Sequence, residues 1–307
     1  MNDGKKYLIV VVGPTAIGKT ARAIALAQHF GCDIISCDSR QFFKEMRIGT
    51  AVPSVEELAA ATHHFIHNKS IFELYTVGDF EKEALERLAL LHERNPVAVM
   101  VGGSGLYVDA VLKGFDAFPD IDSAVRVALT KAYEKQGIGY LQDELQRIDP
   151  EYFAVVDTEN PQRMMRALEV SIGSGKPYSS YLSGKENTRH FTPVVIGLTA
   201  DREVMYDRIN QRVDVMMREG LLDEARALLP HKNLNALQTV GYRELFDYFD
   251  GKTDLDTAIA DIKKNTRRFA KRQMTWFRKN EAITWFDFEA DPAEIVCHIN
   301  KQITQPL

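Results

Sequence analysis

The chain alternates between short apolar runs and longer segments in which apolar residues recur every three or four positions. The short runs are rich in β-branched residues and end at Gly, Pro or polar residues, which is typical of buried strands. Most are followed by a helical pattern, and this alternation favours an α/β fold with a parallel sheet flanked by helices. The predicted strands are Leu8–Val12, Ile34–Cys37, Val97–Val101, Val194–Leu198 and Ile283–Phe286.

The interval from about Phe118 to His190 departs from this alternation. It is helical and charge-rich without a convincing strand, and Asn160-Pro161 predicts a helix cap followed by proline at the first helical position. Ser54 and Glu57 predict a capped helix start earlier in the chain. We therefore predict a helical insertion domain at residues 118–190 between two parts of the core, residues 1–117 and 191–307.

Composition excludes several classes of protein. The 307 residues are 45% hydrophobic and carry a net charge of −5, which argues against a surface coated in basic residues. The apolar runs fall short of the ~18 residues of a membrane span, and the N-terminus enters the first strand without a cleavable apolar segment. The cysteines Cys32, Cys37 and Cys297 have neither disulfide nor zinc spacing. We expect a soluble, cytoplasmic monomer with reduced core thiols and no membrane partner.

A phosphate-binding pattern follows the first strand. The segment GPTAIGKT matches G-x-x-x-x-G-K-[ST], the nucleotide-binding P-loop, and lies between a predicted strand and a helical pattern. Its glycines let backbone N–H groups approach phosphate oxygens, its lysine neutralises their charge, and its threonine reaches Mg²⁺. The predicted site comprises Gly13, Pro14, Thr15, Ala16, Ile17, Gly18, Lys19 and the metal ligand Thr20. The motif alone does not tell whether the phosphate is transferred or discarded.

The ends of the other predicted strands carry further candidates, because ligands bind beyond the carboxyl ends of parallel strands. Asp38 is either a helix cap or a general base or water-mediated Mg²⁺ ligand, and Ser104 is a turn hydroxyl or faces the crevice. Arg208 and Arg212 share one helix face, but Arg212 lies ~16 Å along that helix, so spacing alone does not bring it to the loop. The adjacent His63 and His64 point apart, which disfavours a metal site.

A basic stripe lies near the C-terminus, in IKKNTRRFAKRQMTWFRK (Ile262 to Lys279). Eight Lys or Arg residues and no acid occur between Lys263 and Lys279. On a helix, Ile262, Phe269 and Trp276 fall on one side, and the basic side chains of residues 263, 264, 267, 268, 271 and 272 on the other. A solvated face normally mixes charges, so this one indicates contact with a nucleic-acid backbone. We expect Arg163 and Arg166, on one face of a helix in the insertion, to extend this contact surface.

Together these motifs resemble the tRNA dimethylallyltransferases, also called tRNA isopentenyltransferases, over nearly the whole chain. The similar segments are GPTAIGKT, ISCDSRQFF, IGTAVP, HHFI, YTVGDF, VGGSGLY, IDP, NPQRMMRALEV, RINQRVDVMMREGLLDEA, VGYREL and AKRQMTWFRK. Three positions depart from the family pattern: Val52 replaces a usual Lys, His67 an Asp, and Ser104 a common Thr.

The resemblance implies a reaction and a set of residues. The P-loop would hold the diphosphate of dimethylallyl diphosphate with Mg²⁺, and the allyl group would pass to the exocyclic amine of the adenosine 3′ of the tRNA anticodon. Asp38 would act as base, Ser104 would orient the amine, and Arg212 would assist the diphosphate. Contacts to the anticodon stem-loop would come from Asp38, Ser39, Arg40, Gln41, Ser104, Arg126, Gln162, Arg163, Met164, Met165, Arg166, Arg268 and Arg272.

Three alternatives share part of these features. A P-loop small-molecule kinase would not need a basic helix of one sign. An adenylate isopentenyltransferase would use a free nucleotide as acceptor, against which the QRMMR segment and the basic helix count. A non-catalytic tRNA-binding protein would bind RNA without transferring an allyl group.

Overall fold

A parallel sheet organises the chain in this computed structural model, which describes residues 4–116, 118–182 and 188–304. Within those residues it has six strands in the order β3-β2-β4-β1-β5-β6, and every neighbouring pair is parallel. The predicted α/β fold is therefore confirmed. The strands are β1 (Tyr7–Val12), β2 (Ile34–Ser36), β3 (His63–His64), β4 (Val97–Val101), β5 (Thr192–Thr199) and β6 (Thr284–Asp287).

Five of these strands lie within two residues of the predicted bounds, and β3 was missed. Its two histidines have no apolar signature, and they form an edge strand because the chain pairs here with β2. His64 contacts Asp33 through Nε2 at 2.9 Å, so this ring serves the sheet edge.

Helices of the sheet-containing part pack on both faces of the sheet. Ser54 and Glu57 form the predicted capping box at the start of α2. The helices of this part are α1 (Lys19–Phe30), α2 (Val55–Ala60), α3 (Val77–Arg94), α4 (Gly105–Leu112), α9 (Arg202–Arg218), α10 (Leu221–Leu228), α11 (Tyr242–Phe249), α12 (Leu255–Phe277) and α13 (Pro292–Thr304). Short 3-10 helices occupy Leu229–His231 and Asn235–Leu237.

Two apolar clusters cover the two faces of the sheet. Alternate residues of β1 point to opposite faces, so Ile9 and Val11 join one cluster while Leu8, Val10 and Val12 join the other. A third cluster packs α9 to α12 together around Leu221, Leu245 and Ile262. This third core positions α9 and α12, which carry several of the candidate side chains.

The chain divides into two compact units, residues 1–113 with 188–307 and residues 114–187. The second differs from the predicted insertion, 118–190, by four residues at its start and three at its end. Its helices are α5 (Ser123–Gln136), α6 (Ile138–Ile148), α7 (Pro150–Phe153) and α8 (Pro161–Ser174), with a 3-10 helix at Tyr178–Tyr181. Asn160 caps α8 through the N–H of Arg163, as its sequence predicts.

The structure also bears on the predictions for the cysteines and for membrane spans. All three cysteines are free, but Cys297 is exposed rather than in the core because it lies on the outer side of α13. In the part of the chain that the structure describes, no helix is both long and apolar enough to cross a membrane.

Candidate active site

The loop after β1 has the geometry of an anion site. Gly18 precedes α1 with φ 98°, a left-handed conformation that glycine adopts at low cost. The first backbone N–H groups of α1 have no partners within the helix, so they are available to an anion. Lys19 Nζ donates to the carbonyl of Pro14 at 2.7 Å, which keeps the lysine side chain folded over the loop.

A cavity of about 820 Å³ opens beside this loop, at the carboxyl ends of the strands. Of the predicted phosphate-binding residues, Thr15, Ala16, Gly18, Lys19 and Thr20 line it. Gly13, Pro14 and Ile17 are buried and do not line the cavity, so any part they take in phosphate binding would be through the backbone of the loop and stays a prediction.

Helix α9 brings two arginines to the same loop. Arg208 Nε donates to the carbonyl of Ala16 at 2.9 Å, and Arg212 Nη1 lies 3.5 Å from Thr15 Oγ1. Both arginines line the cavity. The helix therefore runs across the loop rather than away from it. Although Arg212 lies far along the axis of this helix, its side chain still reaches the P-loop.

The cavity concentrates positive charge. Desolvation lowers the pKa of Lys19 to about 8, and the neighbouring Arg212 acts in the same direction, while Asp38 opposes both. Burial also lowers the pKa of Arg212, again opposed by Asp38. A bound anion would relieve the repulsion between the two cations, so the site is electrostatically suited to a phosphate or diphosphate group.

Asp38 lines the cavity directly after β2. Its Oδ1 accepts a hydrogen bond from the backbone N–H of Arg40 at 3.0 Å and closes a turn. The next helix, α2, begins at Val55, so the alternative that Asp38 caps a helix is wrong. A carboxylate among the cations of such a cavity can accept a proton from a bound nucleophile.

Ser104 contacts the turn that carries Asp38. Its hydroxyl accepts from the N–H of Ser39 at 3.1 Å and donates to Ser39 Oγ at 3.2 Å. It occupies the cap position of α4 without capping that helix. Ser104 therefore joins the turns after β2 and β4.

Arg40 and Gln41 hold neighbouring loops through their side chains. Arg40 Nη1 donates to the carbonyls of Asn235 and Ala236 at 3.0 and 3.2 Å. Gln41 Nε2 donates to the carbonyls of Thr50 and Ala51 at 3.1 and 2.9 Å. These two predicted tRNA contacts thus have structural partners.

One wall of the cavity depends on Glu224, which sequence reasoning missed. Its carboxylate accepts from the N–H groups of Arg47, Ile48 and Gly49 at 2.8 to 3.0 Å and from Tyr242 Oη at 2.6 Å. The loop that Glu224 holds continues to Val52, the position at which the family pattern has lysine. The apolar side chain of Val52 lines the cavity. His67 donates its backbone N–H to the Gln41 carbonyl at 2.9 Å.

Helix α12 carries the basic stripe, but its buried arc differs from the predicted one. The buried residues are Ala258, Ile262, Ala270, Gln273, Met274 and Phe277. Phe269 and Trp276 are 39% and 38% exposed, so the prediction that they anchor the helix in the core is wrong. Each lies one residue, ~100°, from a buried neighbour, at the edge of the packed face. Trp276 Nε1 donates to Asp109 Oδ2 at 2.9 Å.

Four of the six basic residues on α12 have polar partners within the protein, among them Arg268, whose Nη1 donates to Asn265 Oδ1 at 3.3 Å. Lys263 pairs with Asp214 at 2.6 Å, Lys264 pairs with Asp261, and Arg267 donates to Asn210 at 2.7 Å. The exposed side chains are those of Lys264, Arg268, Lys271 and Arg272, and of these Lys264 forms an ion pair. The basic face available to a polyanion is therefore narrower than the sequence indicated.

The second unit contains the remaining predicted tRNA contacts. Arg126 donates to Gln162 Oε1 at 2.9 Å and pairs with Glu169 at 3.3 Å, while Arg166 contacts the same Glu169 at 3.2 Å. Asn160 Oδ1 accepts a hydrogen bond from the backbone N–H of Arg163. Arg163 is an exposed residue of α8.

Two predicted contacts in this unit face inward instead. Met164 and Met165 are 0% and 3% exposed and belong to the apolar core of the unit. The prediction that their side chains contact tRNA is therefore wrong. They lie on the packed side of an amphipathic helix whose arginines face outward.

The oxygen donors in the cavity suit a magnesium ion that is coordinated mainly by waters and by the phosphate oxygens of a bound diphosphate. The hydroxyl of Thr20 and the carboxylates of Asp38 and Glu57 all line the cavity. Within residues 4–116, 118–182 and 188–304, no group of three or more His, Cys, Asp or Glu side chains could hold a metal ion. Mg²⁺ commonly uses one or two carboxylates, waters and phosphate oxygens, and such binding needs no larger cluster.

Comparison with known proteins identifies the family. The model of the IPP transferase family matches residues 41–280. The chain belongs to the IPP transferase family. This family assignment agrees with the resemblance seen in the sequence.

Two members illustrate the similarity. A tRNA dimethylallyltransferase of Flavobacterium johnsoniae is 65% identical over 300 residues, covering 96% of this chain and 97% of the relative. The crystal structure of a tRNA isopentenylpyrophosphate transferase from Bacillus halodurans matches with a TM-score of 0.73 and 39% identity, covering 97% of both chains. A eukaryotic dimethylallyltransferase shares the fold, with a TM-score of 0.82 at 24% identity and coverage of 99% of this chain and 81% of that one.

Gln273, like Glu224, was missed by sequence reasoning, although a signal was present. It lies 11 residues after the buried Ile262, which is an offset of only ~20° around a helix. An amide at a core-facing position must find hydrogen-bond partners. Its partners, Thr15 and Gly103, belong to the loops around the cavity.

Proposed function

We propose that this protein is a tRNA dimethylallyltransferase. It transfers the dimethylallyl group of dimethylallyl diphosphate to the exocyclic amine of the adenosine 3′ of the tRNA anticodon and releases diphosphate. The observation that carries the proposal is a single cavity lined by the P-loop Lys19, the α9 arginines and the Asp38 carboxylate. The high identity to relatives named for this activity supports the same conclusion.

The residues around the P-loop would bind the leaving group. Negative charge grows on the diphosphate as its bond to the allyl carbon breaks, and Lys19 and Arg212, which line the cavity, would stabilise it together with the loop N–H groups. Mg²⁺, held by Thr20 and the diphosphate, would supply further neutralisation of that charge. The apolar side chains of Ile48, Val52, Val215, Met216 and Phe269 also line the cavity and suit a five-carbon allyl group.

Asp38 would receive the proton of the acceptor. The adenosine amine is a weak nucleophile, and the new carbon–nitrogen bond leaves a proton that must go to a base. Asp38 is a carboxylate of the cavity that holds the P-loop, and Ser104 supports its turn through Ser39. The target base must leave its stack to enter such a cavity. Exposed Arg268, Arg272, Arg163 and Arg166 would contact the RNA, in a protein that we expect to act as a cytoplasmic monomer.

The test is incubation with dimethylallyl diphosphate and total tRNA, followed by nucleoside mass analysis. We expect a prenylated adenosine without added ATP, loss of product in EDTA and recovery with Mg²⁺. Prenylation of free adenine nucleotides but not tRNA would favour an adenylate isopentenyltransferase. Release of ADP in an ATP-dependent reaction would favour a kinase, and tRNA binding without product would indicate a non-catalytic protein.

The exposed part of the basic helix gives a second prediction. Arg268→Gln with Arg272→Gln should weaken tRNA binding more at low salt than at high salt, because each lost phosphate contact lowers the slope of log affinity against log salt by ~0.7. Use of dimethylallyl diphosphate at saturating tRNA should change little. Binding titrations at several salt concentrations measure the slope.

The matched control is Lys263→Gln with Lys264→Gln, which removes the same charge from residues already paired with Asp214 and Asp261. We expect its salt slope to stay close to that of the unaltered protein. Equal slopes for all three proteins would contradict contact through α12 and leave Arg163 and Arg166 as the next candidates.

A further inference from the structure

Gln273 joins three parts of the site through one buried amide. Its Oε1 accepts from the backbone N–H of Thr15 in the P-loop at 2.9 Å, and its Nε2 donates to the carbonyl of Gly103, after β4, at 2.9 Å. The residue is 6% exposed and lies on α12, and it also borders the cavity. The amide therefore fixes the P-loop and the turn after β4 to the same helix.

The fit around this amide is close. A Cβ at position 103 would lie 2.2 Å from Gln273 Nε2, so the approach requires glycine. The two hydrogen bonds also define the orientation of the amide, because reversal would face its NH₂ group with the Thr15 N–H and its oxygen with the Gly103 carbonyl. Both backbone groups would then lose their partners, which is costly in a buried position.

The two loops that Gln273 joins carry different halves of the proposed reaction. Thr15 lies beside Arg212 at the diphosphate end, whereas Gly103 precedes Ser104, whose hydroxyl supports the turn that carries Asp38. Transfer requires the allyl carbon and the attacking amine to be held at a short distance, and displacement by ~1 Å can cost ~10²-fold in rate.

We infer that Gln273 is a positioning residue for allyl transfer, which sets the separation of the diphosphate-binding loop from the turn that supports Asp38. The inference rests on the proposed function. Gln273 acts through Thr15 and Gly103. Its neighbours Lys271 and Arg272 lie on the solvent side of the same helix. Loss of the amide should therefore impair catalysis by more than its effect on stability explains.

The first test compares Gln273→Met with Met274→Ala. Methionine keeps the length of the side chain but makes neither hydrogen bond, whereas Met274→Ala removes buried packing one residue away without touching the amide. We expect Gln273→Met to lower kcat for transfer about tenfold or more at saturating substrates, with tRNA affinity within about twofold of the unaltered protein. Met274→Ala should lower the melting temperature and largely keep kcat.

Gln273→Glu provides a readout that packing alone does not move. An ionised carboxylate can accept from Thr15 but cannot donate to Gly103, whereas the protonated form can do both. Burial and the facing Gly103 carbonyl favour the protonated form, against the opposing effect of Lys19, Arg208 and Arg212 in the same cavity, so the ratio of the variant's kcat to that of the unaltered protein should rise as pH falls from about 8 to about 5. The same ratio for Gln273→Met should stay flat.

Two results would overturn the inference: a flat pH ratio for Gln273→Glu, or a loss of kcat in Gln273→Met no greater than in Met274→Ala. Gly103→Ala, which forces the amide aside, should reproduce the kinetic defect of Gln273→Met. The unaltered protein, measured in parallel, separates these results from failure of the proposed function, because that failure would leave it without allyl transfer as well.

Discussion

Asp38→Asn is expected to slow allyl transfer by ~10²–10⁴-fold, the usual contribution of a general base. The amide keeps an oxygen that can accept the N–H of Arg40, so the turn after β2 should survive. It cannot take the proton of the adenosine amine. The measurement is single-turnover transfer to tRNA with dimethylallyl diphosphate in excess, together with tRNA affinity, which should be nearly unchanged.

The matched control is Asp33→Asn, at the other end of β2. It removes an equal charge from a carboxylate that pairs with His64 at the sheet edge, and we expect its transfer rate to stay near that of the unaltered protein. If Asp38→Asn kept more than roughly a third of the original rate, the carboxylate would only be supporting its turn.

Lys19→Ala is expected to lower kcat/KM for dimethylallyl diphosphate by ~10²–10³-fold, because it removes a cation aimed at the charge of the leaving group. Lys19→Arg keeps that charge and should retain more activity than Lys19→Ala, although a planar guanidinium fits a loop built for an ammonium imperfectly. Inhibition by inorganic diphosphate measures the same contact without the chemical step. Equal inhibition constants for the alanine variant and the unaltered protein would contradict the assignment.

The lowered pKa of Lys19 adds a pH dependence to this contact. In the protein without diphosphate the pKa of Lys19 is lowered to about 8. Bound diphosphate favours the charged form of Lys19, so the pKa of this residue lies higher in the complex. Affinity for diphosphate should therefore be fullest below about pH 8 and fall as pH rises above it. Lys19→Arg stays charged throughout and supplies the reference curve for titration of the ligand itself, so parallel curves would refute the prediction.

Local patterns determined much of this protein. Uninterrupted β-branched runs marked the central strands because both faces of a parallel sheet are buried, and GPTAIGKT marked the phosphate loop because each residue has a local role there. The capping signals at Ser54 and Asn160 also held, since a cap depends only on residues within one turn. Five strands, the loop and the helix starts were therefore predictable.

The tertiary structure decided which residues meet. Arg212 reaches the P-loop because α9 crosses it, and Met164 and Met165 turn inward because the second unit packs on that side of α8. The core around α12 leaves Trp276 at its edge, while Gln273 and Glu224 reach loops that are 170 to 258 residues away in sequence. A residue's sequence neighbourhood determines its local conformation, but its partners depend on how distant helices and loops pack, which no short pattern encodes.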